Sequence, residues 1–392
     1  MRLVYRDELF DAQLLRTLSH ACYGAADVTE CLAAARSIPE LDVERWYAVW
    51  FALAERIRAD AERSLVKGHP VSAQDAFLRA SNYYRNAYIF HFGQPQQDEL
   101  RRAYDLHRET FRQSVAPGEE IAIPYEGTRL HGYFFRAADE PRPTLILNGG
   151  YDSTAEECYL WNGIAALRRG YHCLVFDGPG QGSALIEQGL PFRPDWEAVI
   201  RPVVDWLLAR SDVPHDSIGI IGLSFGGYLA LRAATGEPRL AACVADPGQF
   251  SLLEIFQSRL PGFLALSLPE AHGLAGWLLS KVMHRRLPHP TGGWALRRCL
   301  WTHGLASIED YLRETARYTL EGRVTQIRCP TLICQAEDDD LAITARKVYD
   351  ALTCDKNFLL FRRDEGAGAH CEAGARLLFH QRMFDWLGER LQ

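Results

Sequence analysis

The chain has 392 residues, of which 47% are hydrophobic and 24% are charged, a composition typical of soluble globular proteins. Its 43 basic and 50 acidic side chains give a net charge of −7, which excludes an electrostatic attraction to nucleic acid or to an anionic membrane surface. The first ten residues lack the apolar core of a signal peptide, and the ten cysteines form no C-x-x-C pair. We therefore expect a cytoplasmic protein with reduced thiols and no metal.

The first 117 residues are predicted to form a helical domain. Residues 43–67 place Trp46 and Trp50 at helical spacing, and Gly68-His69-Pro70 ends this helix. A second helix is predicted to start near Ser72, because an acid follows three residues later in the manner of a capping box, and to run to about residue 92.

Strands and helices alternate from residue 118 to the end of the chain. A hairpin around Gly127 comes first, followed by short apolar runs that have the length of buried parallel strands. This order predicts an α/β fold with a doubly wound, mostly parallel sheet. The interval at about 247–326 is too long for one crossover and predicts a helical cap insertion.

Ser224 is the predicted nucleophile. It lies in Gly222-Leu223-Ser224-Phe225-Gly226, between the strand IGII and a helix-forming run, which is the strand-turn-helix context of a G-x-S-x-G nucleophile elbow. A serine hydroxyl is a weak nucleophile and needs a neighbouring base, which in turn needs an orienting acid.

An acid and a histidine follow Ser224 in the required chain order. Asp339 comes after the strand TLICQ, and His370 lies in the loop between the last strand and the C-terminal helix. We predict a triad of Ser224, Asp339 and His370. Spacing alone leaves Asp338 and Asp340 as alternatives to Asp339.

Two backbone N–H groups are predicted to stabilise the oxyanion that forms on attack. Phe225, directly after the nucleophile, supplies one, and Tyr151, after Gly149-Gly150 at a strand end, supplies the other. The segment from Asp177 to Gly182, DGPGQG, lacks both the lysine of a P-loop and the G-x-G-x-x-G spacing, so we interpret it as a tight turn rather than a nucleotide site.

The motifs LILNGGYDS, FDGPGQG, GLSFGG and GAGAHC, with the helical front end, resemble one branch of the α/β-hydrolases. This branch includes 2,6-dihydroxypseudooxynicotine hydrolase, the fungal yellowish-green pigment hydrolases that shorten polyketides, and esterases of the fermentation-respiration-switch type. The resemblance implies an α/β-hydrolase fold and carbon–carbon bond hydrolysis of a β-dicarbonyl, polyketide-like or aryl ketone substrate, with no cofactor. Glu254, early in the cap, is a candidate acid that orients the substrate, and a solvated glutamate on a helix surface is the alternative and favoured interpretation.

Other functions fit the same residues. A carboxylesterase or acyltransferase uses the same triad. A different class is a non-catalytic protein that has the hydrolase fold and binds a ligand or partner. Such proteins usually lack one triad residue, whereas this chain has all three. We expect the N-terminal helices and the cap to cover the active site. The sequence leaves open whether the protein is a monomer or a homodimer. Five cap aromatics are predicted to line an apolar pocket or to pack within the cap or a dimer contact: Phe250, Phe256, Phe263, Trp277 and Trp294.

Overall fold

The structure, a computed structural model, describes residues 2–92, 97–114, 118–266, 268 and 273–391. The chain forms two compact units. The first comprises Met1–Gly118 with Arg286–Arg298, and the second comprises Glu119–Arg285 with Cys299–Gln392. None of the helices within the described residues is long and apolar enough to cross a lipid bilayer.

The first unit is helical. Its helices are α1 (Glu8–Ser19), α2 (Val28–Arg36), α3 (Val43–Val66), α4 (Pro70–Ala87) and α5 (Gln97–Ser114), with 3₁₀ turns at His20–Tyr23 and Tyr88–Phe90. Trp46 and Trp50, predicted at helical spacing, both lie in α3 and are fully buried. The second predicted helix begins at Pro70 rather than Ser72, because proline fits the first turn of a helix, where no N–H donor is needed.

Part of the predicted cap insertion belongs to this helical unit. Residues 286–298 pack with it, and the indole Nε1 of Trp294 donates to the carbonyl oxygen of Ile89 at 3.0 Å. The hydroxyl of Thr291 also donates to Asp7 at 2.8 Å. Residues 286–298 of the insertion therefore belong to the helical unit, and the rest of the insertion belongs to the second unit.

The second unit is built on one eight-stranded sheet in the order β1-β2-β4-β3-β5-β6-β7-β8. The pairings of β2 with β1 and with β4 are antiparallel, and the others are parallel. The strands are β1 (Glu119–Tyr125), β2 (Thr128–Phe135), β3 (Thr144–Asn148), β4 (His172–Phe176), β5 (Ile218–Leu223), β6 (Ala242–Asp246), β7 (Thr331–Ala336) and β8 (Lys356–Phe361). The predicted fold class, an α/β fold with a mostly parallel sheet, is confirmed.

Sequence explains these strands directly. Every residue of β3, β4, β5 and β6 is buried, as expected for parallel strands covered on both faces. Glu126 and Gly127, both with positive φ, form the two-residue turn of the β1–β2 hairpin.

Helices cover this sheet and form the rest of the insertion. The remaining helices are α6 (Ala155–Cys158), α7 (Ile164–Leu167), α8 (Gly182–Ile186), α9 (Glu197–Leu208), α10 (Gly226–Gly236), α11 (Leu252–Gln257), α12 (Gly262–Ala265), α13 (Gly273–Arg286), α14 (Trp294–Thr302), α15 (Ile308–Thr315), α16 (Ala345–Ala351) and α17 (Arg376–Gly388). A π-helical turn at Tyr159–Gly163 joins α6 to α7, and 3₁₀ turns lie at Val324–Gln326 and His370–Glu372. Because parallel strands end at one edge of a sheet, the loops after β3, β5, β7 and β8 meet there.

Candidate active site

Ser224 lies at the sharp turn between β5 and α10. Its φ of +60° is in the left-handed region, which is unfavourable for a residue with a side chain. A Cβ on Gly222 would lie 1.9 Å from the carbonyl oxygen of Gly226, and one on Gly227 would lie 2.0 Å from that of Pro247. The turn therefore requires glycine at both positions, which is why the motif surrounds its serine with small residues.

The structure brings the three predicted triad residues together. His370 Nε2 lies 2.9 Å from Ser224 Oγ, and His370 Nδ1 lies 2.7 Å from Asp339 Oδ2. The other carboxylate oxygen of Asp339 accepts the backbone N–H of Leu341 at 2.9 Å. Hydrogen bonds thus connect the acid, the imidazole and the hydroxyl in sequence.

The two neighbouring acids that spacing left open lie elsewhere. Asp338 is exposed and accepts from the guanidinium Nε of Arg363 at 2.9 Å, and Asp340 is also exposed. The side chain of Asp339, by contrast, is only 3% exposed. Geometry therefore favours Asp339 as the partner of His370.

Electrostatics keeps Asp339 ionised. Burial raises the pKa of its carboxyl, but the charge of His370 and the hydrogen bonds from His370 and Leu341 outweigh burial, and the net pKa is lowered. A carboxylate at this position stabilises an imidazolium on His370. His370 can therefore take a proton from Ser224.

The two backbone segments that carry the predicted oxyanion donors lie side by side. A Cβ on Gly150 would be 2.9 Å from Ser224 Cβ and 3.0 Å from the backbone nitrogen of Phe225, so the loop after β3 passes directly beside the elbow. The rings of Tyr151 and Phe225 stack with centroids 4.3 Å apart and planes inclined by 21°. The side chains thus hold the two backbone segments together.

Gln181, in the DGPGQG turn, holds the oxyanion loop and was not predicted to do so. Its amide nitrogen donates to the carbonyl oxygens of Gly149 at 2.6 Å and Gly150 at 3.0 Å. Its amide oxygen accepts the N–H of Gly178 at 3.2 Å. Asp177 fixes the same turn by accepting the N–H of Ser183 at 2.8 Å. The motif therefore shapes the active site through hydrogen bonds to the backbone.

His303, from the insertion, contacts the oxyanion loop and was also not predicted. Its Nε2 lies 2.9 Å from the hydroxyl of Tyr151. Burial lowers the pKa of His303 to about 3, so its imidazole is neutral at physiological pH. The ring of Tyr311 packs edge-on against His303, with centroids 5.5 Å apart.

Glu254 lies on α11 and is paired with a surface cation. Its carboxylate oxygens are 2.7 and 2.9 Å from Lys347 Nζ, and its side chain is 38% exposed. The structure places Glu254 in this ion pair, whereas Ser224, Asp339 and His370 lie together at the sheet edge.

Four of the five predicted cap aromatics are described by the structure, and each has different surroundings. Phe250 belongs to the core beside the sheet, Trp294 belongs to the helical unit, and Trp277 is half exposed. Phe256 packs edge-on against Tyr311 at 6.4 Å. The side chain of Phe263 lies outside the described residues.

One group of side chains among the described residues has the composition of a metal site. Glu44, His91 and Glu99 place one potential ligand atom each within 4.8 Å of one another in the helical unit. His91 is buried, and its ring nitrogens lie 3.2 Å from Glu99 and 3.7 Å from Glu44, which are ion-pair distances. None of these residues belongs to the Ser224 site.

Comparison with known proteins identifies the family to which this architecture corresponds. Residues 130–378 match the family described as "Alpha/beta hydrolase family". The chain is similar to hydrolase acrC of Aspergillus aculeatus, at 33% identity over 99% of this chain and 98% of the relative. It is also similar to 20-hydroxy-prefusarin hydrolase FUS2 of Gibberella moniliformis, at 32% identity over 99% and 97% of the two chains.

A solved structure shares the fold of this chain. The crystal structure of 2,6-dihydroxy-pseudo-oxynicotine hydrolase matches with a TM-score of 0.74, at 22% identity and over 95% of each chain. This match shows a shared fold. The resemblance predicted from the sequence motifs is confirmed.

Proposed function

The chain belongs to the α/β-hydrolase family, and we propose that it is a serine-dependent hydrolase that cleaves a bond next to a carbonyl through an acyl-enzyme. The observation that carries this proposal is the hydrogen-bonded sequence from Asp339 through His370 to Ser224, with 2.7 Å and 2.9 Å separating the bonded atoms. A nucleophile, a base and an orienting acid in this arrangement are the parts that acyl transfer requires.

The proposed reaction has two halves. Ser224 Oγ attacks the substrate carbonyl carbon while His370 Nε2 takes the hydroxyl proton, and the carbonyl oxygen becomes an oxyanion facing the N–H groups of Tyr151 and Phe225. His370 then gives its proton to the leaving group as the acyl-enzyme forms. In the second half His370 removes a proton from water as the water oxygen attacks the acyl carbon. His370 then returns this proton to Ser224 Oγ as the bond between Ser224 and the acyl group breaks and the carboxylic acid leaves.

We further propose that the leaving group is a carbon atom, so that the substrate is a β-dicarbonyl, polyketide-like or aryl ketone. In this reaction His370 protonates the departing enolate or carbanion. Support comes from the relatives, among which one is named for hydrolysis of 20-hydroxy-prefusarin and one for hydrolysis of 2,6-dihydroxy-pseudo-oxynicotine. Ester cleavage uses the same residues and is the competing outcome of the experiment.

Product analysis distinguishes the two bond types. The protein is incubated with matched pairs of an aryl β-diketone and an aryl ester that have the same acyl group, and the products are identified by mass spectrometry. We expect cleavage of the diketone into a carboxylic acid and a ketone, and loss of this activity in Ser224→Ala. Turnover of the ester alone would contradict carbon–carbon hydrolysis while leaving the serine mechanism intact.

We also propose that the insertion sets substrate selectivity. Contacts run from Phe256 to Tyr311, then to His303 and to the hydroxyl of Tyr151 in the oxyanion loop. Phe256→Ala should therefore change the ratio of kcat/KM for large and small acyl groups. The matched control is the half-exposed Trp277, whose alanine variant should keep the wild-type ratio. A wild-type ratio of kcat/KM values in Phe256→Ala as well as in Trp277→Ala would contradict a role of the insertion in selectivity.

Three further expectations concern the cellular location of the protein, its oligomeric state and the role of its N-terminal helices. All ten cysteines are free, which fits the cytoplasmic location that we propose. Light scattering tests whether the protein is a monomer or a homodimer. That the N-terminal helices cover the active site stays a prediction.

A further inference from the structure

Behind the Ser224 site lies a buried cluster that the mechanism above does not use. It consists of Asp246 at the end of β6, Glu372 in the His370 loop, and Arg376 at the start of α17. All three are buried, with exposed fractions of 1%, 0% and 3%. Arg376 Nη1 lies 3.9 Å from Asp246 Oδ2 and 3.7 Å from Glu372 Oε2.

The cluster connects the two loops that carry the nucleophile and the base. The backbone carbonyl oxygen of Asp246 accepts the N–H of Ser224 at 2.6 Å, and Cys371 Sγ lies 3.6 Å from the same oxygen. On the other side, Arg376 Nη1 donates to the carbonyl oxygen of Cys371 at 2.7 Å. Cys371 and Glu372 both have positive φ, at +52° and +46°, a conformation that surrounding contacts must hold in place.

Arg376 is itself fixed from behind. Its Nη2 donates to Asn162 Oδ1 at 2.8 Å and lies 3.3 Å from Nε2 of His380, and its guanidinium lies over the rings of Trp161 and Phe379. A planar guanidinium that is packed against two rings and hydrogen-bonded to Asn162 cannot follow a displaced carboxylate. The cluster therefore has a rigid centre.

Charge balance within this cluster requires a proton. Two ionised carboxylates facing one guanidinium would leave a net negative charge in a buried site, which is strongly unfavourable. Burial raises the pKa of Asp246 to about 6 despite the charge of Arg376, and burial together with the charge of Asp246 raises the pKa of Glu372 well above its usual range. At neutral pH the pair therefore keeps one proton.

The other titratable groups around the pair do not change this balance. Burial raises the pKa of the thiols of Cys334, on β7, and Cys371, and burial lowers the pKa of His380, so all three are neutral. Asp339 and His370 also face the pair, and they carry the charges already assigned to the triad.

We propose that Asp246, Glu372 and Arg376 are positioning residues that hold the His370 loop against the Ser224 turn, with the two carboxyl groups sharing one proton. This inference rests on the proposed serine hydrolase function. When the shared proton is lost at alkaline pH, the two carboxylates repel each other and the His370 loop loses its contact with the Asp246 segment. The kcat of the wild-type protein should therefore fall at alkaline pH with the ionisation of this pair.

Amide substitutions test the shared proton. Glu372→Gln and Asp246→Asn each keep the shape of the pair but leave one carboxyl group, which Arg376 neutralises. Both variants should keep kcat within about threefold of wild type at pH 7. The pH at which kcat falls on the alkaline side should rise by about one unit or more. Glu372→Ala removes the contact itself, and its kcat should fall about tenfold or more with KM within about twofold.

The control is a carboxylate–guanidinium pair elsewhere in the same unit, away from the His370 loop. Glu197 and Arg232 form two hydrogen bonds of 2.8 Å, and Glu197→Gln should keep the wild-type pH profile. Rates are measured with an activated ester, and fluorophosphonate labelling of Ser224 is measured in parallel. Failure of the wild-type protein to be labelled would contradict the serine mechanism rather than the cluster.

With wild-type labelling established, the amide variants decide the inference. Profiles of Glu372→Gln and Asp246→Asn that superimpose on wild type would overturn it. Equal losses of kcat in Glu372→Gln and Glu372→Ala would also overturn it, because they would show a requirement for the ionised carboxylate. If Glu372→Ala does not fold, the pH profiles of the two amide variants alone give the answer.

Discussion

Replacement of His303 tests whether this histidine, which contacts Tyr151 in the oxyanion loop, is buried in its neutral form. This side chain is 5% exposed, and burial lowers its pKa from 6.5 to about 3. The unfolded chain therefore binds a proton at His303 at a pH where the folded chain does not. The contribution of His303 to the free energy of unfolding therefore has its full value above pH 6.5. It decreases as the pH falls from 6.5 towards 3.

The size of this effect follows from the pH interval. Lowering the pH from 7.5 to 5.0 crosses about 1.5 pH units below the unfolded-state pKa, and each unit corresponds to about 1.4 kcal/mol, so His303 accounts for a loss of about 2 kcal/mol. The folded-state pKa lies well below this interval, so its exact value does not alter the result. His303→Phe keeps an aromatic ring in the cluster but removes the titrating group.

Urea unfolding at pH 7.5 and 5.0 measures the effect. The difference in unfolding free energy between the two pH values should be about 2 kcal/mol smaller in His303→Phe than in wild type. His284, which is exposed, provides the control, and His284→Phe should keep the wild-type difference. An unchanged difference in His303→Phe would refute the assignment of a buried, neutral imidazole.

Two further predictions concern the triad and the oxyanion loop. Asp339→Asn should lower kcat by about 10⁴, because an amide favours the wrong tautomer of the catalytic imidazole, whereas Asp340→Asn should keep wild-type kcat; a reversed pattern in steady-state assays would contradict the choice of acid. Gln181→Ala should lower kcat about 10- to 100-fold with little change in KM, because the carbonyl of Gly150 loses its donor, and Gln188→Ala is the control. Equal kinetics in the two glutamine variants would exclude this role for the turn.

Local sequence patterns predicted the parts of the site that depend on chain order. The elbow around Ser224 has a steric requirement for glycine that is visible in the motif, and the loops after β7 and β8 follow from the strand pattern. Spacing alone leaves the acid within residues 338–340 open. The choice depends on Arg363, in the loop after β8. Arg363 pairs with Asp338, and Asp339 is hydrogen-bonded to His370.

Contacts between distant residues account for what was missed. Gln181 acts on a loop about 30 residues earlier, and His303 reaches Tyr151 across 152 residues. Glu254 was proposed from resemblance, and its partner Lys347 is 93 residues away. A single sequence contains no periodicity that records such pairs, so side-chain partners across the fold require the structure.

Covalent labelling of Ser224 tests the central claim most directly. The protein is treated with a fluorophosphonate probe, and the modified peptide is identified by mass spectrometry in wild type, in Ser224→Ala and in a control variant at the exposed Ser258. We predict modification at Ser224 in wild type and in Ser258→Ala, with none in Ser224→Ala. Full labelling of Ser224→Ala, or a modified residue other than Ser224 in the wild-type protein, would contradict the proposed mechanism.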